Sequence, residues 1–266
     1  MRRSEFVWQS FLALILITLL PGTVVGQSGK KEYLCLRSIN VDVTEGQFSL
    51  SGSYGLTRND LYYLPEVVPE ATSAVALRTM THLTSYRQSD SNAVIIGTSS
   101  EKLAVLAGIE IDSGRFLEQH EIESAENVCV IGRRIAGVLF QDDDPTGKSI
   151  RLGQHYFLVV GVARSPQIQL DSVEEAYATS GMPEQATSGP ATQNLEVYVS
   201  LPAMKMRFGD LVVRRGPSTF VRRSYELSEV WIPDATDIQA IRQVELWLGE
   251  RHEFQEDFHI RARRAW

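Results

Sequence analysis

The sequence predicts an α+β protein, with mixed sheets and few short helices, behind an N-terminal membrane-targeting segment. Two observations carry the fold class. Apolar runs of strand length recur at Val94-Ile95-Ile96, Val128-Cys129-Val130-Ile131, Phe157–Val162 and Leu195–Leu201. Helical spacing is brief at Ile135, Val138 and Leu139, and longer only near the C-terminus, at Ile238, Ile241, Val244 and Leu248. Strands mixed with a few helices are the pattern of an α+β layer structure. A composition of 43% hydrophobic and 22% charged residues is that of an ordinary globular chain.

The first element is the targeting segment. Met1-Arg2-Arg3 is a positive head, and Phe11–Leu20 is a ten-residue run that is apolar except for Thr18. Pro21-Gly22 breaks the run, and Val24-Val25-Gly26-Gln27 offers a cleavage site. This is the three-part layout of a secretory signal peptide. The alternative is a retained transmembrane anchor. Phe6 to Gly26 is 21 residues, long enough to span, though Gln9, Ser10 and Pro21 interrupt it. With either reading of residues 1–27 the body lies across the membrane, because the basic head stays on the cytoplasmic side.

The body is then read in order. Glu32 to Leu50 alternates apolar residues (Ile39, Val41, Val43) and predicts a strand bent at Glu45-Gly46. Thr57-Arg58-Asn59-Asp60 has the form of a capping box, opening a short helix that Pro65 should stop. Val75 and Leu77, then Val94 to Ile96, predict strands. Thr98-Ser99-Ser100-Glu101 predicts a second capping box, before a short helix at 102–107. Val128 to Ile131 is a buried strand, followed by a helix around 135–139. Ser149–Leu152 and His155–Val162 form a hairpin about Gly153-Gln154. Residues 164–194 are rich in Ser, Thr, Gln, Ala, Gly and Pro and lack periodicity, which predicts a long flexible loop. Strands follow at 195–201, 211–214 and 225–231, then the amphipathic helix through Leu248, then a last strand at 258–261. There is no internal repeat of fixed period.

Charge and motifs exclude several functions. A net charge of −7 lacks the basic footprint of a nucleic-acid binder. Two cysteines, Cys35 and Cys129, cannot build a disulfide scaffold, although export would permit one pair. Gly147-Lys148-Ser149 has the ending of a phosphate loop, but the glycine required five positions earlier is Asp142, followed by Asp143 and Asp144. A polar turn into a strand explains the segment better. The three aspartates lack the alternate spacing and closing glutamate of a calcium loop. The histidines, His82, His120, His155, His252 and His259, form no metal-ligating spacing. His252-Glu253 and Asp257-x-His259 are neighbours in sequence without any requirement to converge. No G-x-S-x-G elbow occurs, Ser51-Gly52-Ser53 reads as a flexible link, and Cys129 sits in an apolar run as a structural thiol. The sequence therefore offers no catalytic, cofactor-binding or metal-ligating set.

An ordered series of motifs carries the reading further. Gly114-Arg115-Phe116-Leu117 is followed by Val128-Cys129-Val130-Ile131-Gly132 and by Ile135-Ala136-Gly137-Val138-Leu139-Phe140. Asp144-Pro145-Thr146-Gly147-Lys148-Ser149-Ile150 and Phe157-Leu158-Val159-Val160-Gly161-Val162 come next. The series resembles the MacB-like periplasmic core domain of ABC transporter permeases, whose pattern runs G-R-x-F, V-x-V-I-G, L-F, D-P-x-G-K-x-I, F-x-V-V-G-V. Leu64-Pro65-Glu66-Val67 and Ala93–Gly97 resemble its earlier stretches. Glu196–Leu201, Arg251-His252 and Asp257–Ile260 resemble its later ones. The glycines 114, 132, 147, 153 and 161 are expected at turns or strand ends, and no matched residue is reactive.

The resemblance implies a porter-like part, from residues 28–91 and 195–266, and an inserted smaller α/β part at 92–194. It implies a non-catalytic role in export or mechanotransmission across the envelope. The implied partners are an ATPase, a transmembrane permease subunit and a periplasmic adaptor protein, because these 266 residues contain neither the family's three further membrane helices nor an ATPase. The alternative is a stand-alone exported binding module derived from such a domain.

Overall fold

A computed structural model describes residues 32–38, 50–53, 55–164, 195–215, 220–253 and 257–264. The expected targeting segment and nearly all of the expected flexible loop lie outside the described residues. So does the expected bend at Glu45-Gly46.

The strands are β1 (Glu32–Ser38), β2 (Leu50–Ser53), β3 (Val75–Tyr86), β4 (Ser89–Thr98), β5 (Glu110–Gly114), β6 (Val128–Gly132), β7 (Ser149–Leu152), β8 (His155–Arg164), β9 (Glu196–Ser200), β10 (Leu211–Arg215), β11 (Phe220–Ser224), β12 (Glu229–Pro233) and β13 (Phe258–Arg264). The helices are α1 (Arg58–Val67), α2 (Leu103–Leu106), α3 (Gln119–Glu123), α4 (Arg133–Phe140), α5 (Leu201–Phe208) and α6 (Ile238–Arg251), with a 3-10 turn at Pro69–Ser73. The fold is α+β with a mixed sheet, as the sequence predicts.

Among the described residues, ten strands form one sheet in the order β13-β1-β12-β3-β4-β9-β6-β8-β5, with β7 bonded to both β3 and β8. The pairs β4–β9 and β6–β8 are parallel and the remaining ladders of this sheet are antiparallel. Because β7 bridges β3 and β8, the pairings β3–β4–β9–β6–β8–β7 close on themselves. The ring surrounds Ala93, Ile95, Cys129, Ile131, Ile150, Phe157, Val197 and Val199, which pack with Ile135 and Leu139 of α4 and Met204 of α5. The alternate residues Val94, Ile96, Val130 and Tyr198 join a second core with Leu103 and Leu106 of α2 and Trp231 of β12. Both faces of β4, β6 and β9 are thus buried, which is why these strands read as unbroken apolar runs. A third core lies between β1, β12, α1 and α6 around Leu34, Leu36, Leu64, Val244 and Leu248.

β1 lies between β13 and β12, and Glu32 at its start pairs with Arg264 at the end of β13. The first and last described residues therefore emerge side by side at one pole. β4 runs across the expected boundary near residue 92, and it pairs directly with β9 just beyond residue 194.

Two glycines allow the closest backbone approach. Gly114 has φ +71°, and a Cβ there would lie 2.2 Å from the Val160 carbonyl oxygen. A Cβ on Gly161 would lie 2.1 Å from the Arg115 carbonyl oxygen. Gly161 is inside β8, not at its end, and its role is to let the chain leaving β5 cross at contact distance. Gly161→Ala should cost about 2–4 kcal/mol through this backbone clash. Gly137→Ala on α4, where nothing lies within 4 Å of the added methyl, should be neutral or stabilise by up to ~1 kcal/mol. Thermal unfolding of the two variants checks the contrast; equal effects would refute the packing argument.

Several local expectations need correction. Pro65 lies within α1 and does not stop it. Only one helical hydrogen bond is lost, and the Val68 N–H still reaches the Leu64 carbonyl at 3.0 Å. The expected capping box at Thr98–Glu101 is absent: the N-cap of α2 is Lys102, and Thr98 Oγ1 instead bonds the Ser100 backbone. Ser51-Gly52-Ser53 is strand, paired in parallel with β11. The strand expected at 225–231 begins only at Glu229. Ile238, expected on the buried face of α6, is exposed. The pair that export would permit does not form: Cys35 and Cys129 lie in different cores, with no disulfide between them.

Candidate functional site

Three polar networks stand out, and each joins distant elements. The first begins at the start of α1. Thr57 and Asp60 form the predicted capping box: the Asp60 N–H donates to Thr57 Oγ1 at 3.2 Å, and the Thr57 N–H donates to Asp60 Oδ2 at 2.8 Å. The same carboxylate accepts from Arg251 Nε at 2.8 Å and lies 3.2 Å from His252 Nε2. The other ring nitrogen, Nδ1, is 2.9 Å from both oxygens of Asp257. The Gly55 N–H completes the network by donating to Asp257 Oδ2 at 3.0 Å. His252 thus joins the end of α6 to the start of α1 and to the entry of β13.

The charge state follows from this geometry. A neutral imidazole has one N–H, yet both His252 nitrogens face carboxylates, so only the imidazolium form, donating twice, satisfies both contacts. The hydrogen bond with Asp60 raises the His252 pKa, against the effect of burial, with Asp257 adding to it. Burial alone would raise the Asp60 carboxyl. The bonds from His252, Thr57 and Arg251 outweigh it and hold that group well below the usual carboxylate range.

The second network centres on Asp210, between α5 and β10. Arg58 contacts it twice, Nη1 to Oδ2 at 2.6 Å and Nη2 to Oδ1 at 3.1 Å. The buried Arg78 of β3 donates through Nη1 to Asp210 Oδ1 at 2.7 Å and to the Gly209 carbonyl at 2.6 Å. Glu226 accepts from the Arg58 N–H at 3.0 Å, and the Tyr225 N–H donates to the Asp210 carbonyl at 2.8 Å. The third network lies inside the sheet. Glu229, fully buried, accepts from Trp231 Nε1 at 2.7 Å and from the Cys35 thiol at 3.7 Å. Tyr33 stacks on Trp231 with ring centroids 4.7 Å apart, and burial pushes its hydroxyl up to about 12.

These arrangements suit holding more than chemistry. A general base needs a free lone pair, and His252 has both nitrogens committed and little exposure. Thr57 Oγ1 is bound to Asp60 at 2.7 Å. Among the described residues, no group of three or more His, Cys, Asp and Glu side chains is placed to hold a metal ion.

The other residues singled out in the sequence take structural places. Gly147 sits in a turn at φ +78°, and its N–H donates to the Val159 carbonyl at 2.8 Å. Lys148 pairs with Asp143 at 3.0 Å, and Asp144 accepts from the Thr146 N–H at 2.9 Å. This is a turn entering β7. His82 and His155 both pack on Phe208, while His120 is exposed beside Glu118. Burial pushes the Cys129 thiol far above its ordinary value, as expected for an inert core thiol. Sequence reasoning noted His252 and Asp257 as neighbours. It did not connect them to Asp60, which is 192 positions from His252, and no local signal does so.

A profile of the MacB-like periplasmic core domain matches residues 19–244. The chain belongs to that family. The macrolide export ATP-binding/permease protein MacB of Neisseria gonorrhoeae and that of Neisseria meningitidis are each 28% identical to this MacB-like core domain over 82 residues. That stretch is 31% of this chain and spans only 13% of those relatives' length. Two solved structures share the fold. The extracellular domain of the noncanonic ABC-type transporter YknZ from Gram-positive bacteria superposes with a TM-score of 0.56 at 16% identity, covering 86% of this chain and 99% of that one. The periplasmic region of MacB from Actinobacillus actinomycetemcomitans gives 0.56 at 15% identity, covering 86% and 87%. Among the described residues no helix is long and apolar enough to cross a membrane.

Proposed function

We propose that this MacB-like core domain is the extracytoplasmic part of an ABC-type permease assembly, without chemistry of its own, acting in export or mechanotransmission across the cell envelope. The observation that carries the reading is the pairing of β1 with β13. Glu32 is opposite Arg264 across that ladder, so the first and last described residues lie side by side at one pole. β1 is also bonded to β12, which leads into the continuous sheet. A force applied at this pole reaches the ring of strands through backbone hydrogen bonds, without passing through a flexible joint. In this reading residues 28–91 and 195–266 act as the porter-like part and 92–194 as the inserted part. The apolar run at 11–20 sends the body across the membrane, and the ATPase, the transmembrane permease subunit and a periplasmic adaptor are the partners.

In-cell photo-crosslinking tests this. A photoreactive residue at Glu32 or Arg264 of the full chain should give adducts with a permease subunit, in a membrane fraction whose extracytoplasmic side is open to protease. A chain released freely from the periplasm, with no adduct to any ABC subunit, would replace this reading with that of a stand-alone exported binding module.

A further inference from the structure

We infer that the surface formed by Tyr62 and Glu66 of α1 with Trp247 and Glu250 of α6 is a docking site for a protein segment that presents arginine or lysine. The inference rests on the proposed extracytoplasmic role and assigns that role a contact surface. It begins with aromatic rings left in solvent. Tyr62 is 75% exposed, and it meets Tyr63 edge to face with ring centroids 5.0 Å apart. Arg251 lies over Tyr63 at 5.4 Å and over Trp247 at 5.0 Å, so one guanidinium joins α1 to α6. Its Nε is held by Asp60 at 2.8 Å, and Trp247 packs against the third core. These side chains are ordered before any partner arrives, which lowers the entropic cost of docking. Tyrosine, tryptophan and arginine in one cluster is also the composition of an interface hot spot.

Charge selects the occupant. Asp60 and Asp257 balance Arg251 and His252 within their own network. Arg58, one turn before Tyr62, is committed to Asp210 and Glu226. Glu66 is three positions from Tyr63 and four from Tyr62, and Glu250 is three from Trp247, spacings that set both carboxylates beside the rings. Both residues are exposed, and neither side chain has an ion-pair or hydrogen-bond partner among the described residues. Arg242 and Glu245 lie around α6 from Trp247 and do not offset them. The surface thus offers an open ring, Tyr62, between uncommitted carboxylates. A cationic side chain stacks on the ring face and donates to the carboxylates at once.

Charge and position together favour a protein over a membrane. Anionic headgroups are repelled by Glu66 and Glu250. α6 starts beside the first described strand, where Thr236 Oγ1 donates to Glu32 Oε2 at 3.2 Å. Its 14 residues then carry the chain ~21 Å towards Arg251 and His252. There His252 bonds Asp257, next to the Phe258 that pairs with Ser38 at the far end of β1. The aromatic cluster therefore lies towards the pole opposite Glu32 and Arg264.

The test uses the full chain in non-ionic detergent with a fluorescein-labelled peptide of alternating arginine and glycine as probe, read by anisotropy at ~0.15 M salt. Tyr62→Ala should weaken binding about fivefold, while Tyr62→Phe, which keeps the ring, binds like the wild type. Glu66→Gln with Glu250→Gln should weaken it by about fivefold as well. A control with equal charge loss elsewhere, Asp90→Asn with Asp142→Asn, should bind like the wild type. Circular dichroism confirms that each variant is folded, and the glutamine pair decides the matter if Tyr62→Ala is not. Equal loss in the control, no effect of Tyr62→Ala in a folded protein, or no binding by the wild type overturns the inference. So does Tyr62-dependent flotation of the chain with phosphatidylcholine vesicles, which would assign the surface to a membrane. None of these readouts requires an ABC subunit, so their failure is distinct from failure of the crosslinking.

Discussion

Replacing Asp60 with alanine is expected to destabilise the domain by about 3–5 kcal/mol, the usual cost of stripping one partner from a buried ionic network. The carboxylate caps α1, holds Arg251 and faces one nitrogen of His252. Its removal leaves an imidazolium with an unmet N–H in a nearly dry setting. For a body of this size the melting temperature should fall by roughly 10 °C, measurable by calorimetry; a loss below ~1 kcal/mol would mean that the network is not a fastener. The pH dependence has a definite sign. The folded-state pKa of His252 is raised above 6.5, chiefly by Asp60. Its stabilisation is therefore complete below the unfolded value and fades as pH rises through the folded one. Asp60 behaves oppositely: its folded pKa is depressed below 3.8, so its contribution is present above that value and is lost on acidification. Denaturant titrations of the wild type and His252→Gln between about pH 5 and pH 9 should show a stability gap that is widest at the acid end. A gap that stays constant or widens with pH would contradict the imidazolium assignment.

Trp231→Ala should cost about 3–5 kcal/mol, as a large buried aromatic replaced by a cavity. Trp231 is 1% exposed and stacked on Tyr33, and it supplies the N–H to the fully buried Glu229 carboxylate. Two effects are superimposed in that variant, and Trp231→Phe separates them. Phenylalanine keeps much of the apolar contact but removes the donor, leaving Glu229 with the weaker Cys35 thiol at 3.7 Å. That substitution should cost about 1–3 kcal/mol, the penalty for an undersatisfied buried acceptor. Equilibrium urea unfolding measures both. A Phe variant as stable as the wild type would show that the indole N–H contributes nothing, and one as damaged as the Ala variant would show that Glu229 dominates the site.

The parts of the fold legible in the sequence share a local cause. Thr57 and Asp60 are three positions apart, so their capping box is written in one turn. The β7–β8 hairpin is marked by Gly153, whose φ of +59° suits a residue without a side chain. α5 also had a readable signal, missed here: Ser200 accepts from the Ala203 N–H at 3.1 Å, with Pro202 in the first turn. The tight connection from β3 to β4 had none, because Arg87 takes φ +52° where glycine or asparagine would have announced a turn. The full length of β3 was hidden for a related reason. Its second half is only partly buried, so the apolar alternation that identifies a strand fades.

The sequence by itself determined the α+β class, the apolar strands and the family, because burial on both faces of β4, β6 and β9 forces continuous hydrophobic runs. The tertiary structure alone decided how those strands close through β7, and which charges meet. Asp60 and His252 come together across 192 positions, and Arg78 and Asp210 across 132. Neither pair has a local geometric reason to exist. Each forms because the packing of α6 on α1, and of the end of α5 on β3, brings charged groups together where water is scarce and an unpaired charge would be costly.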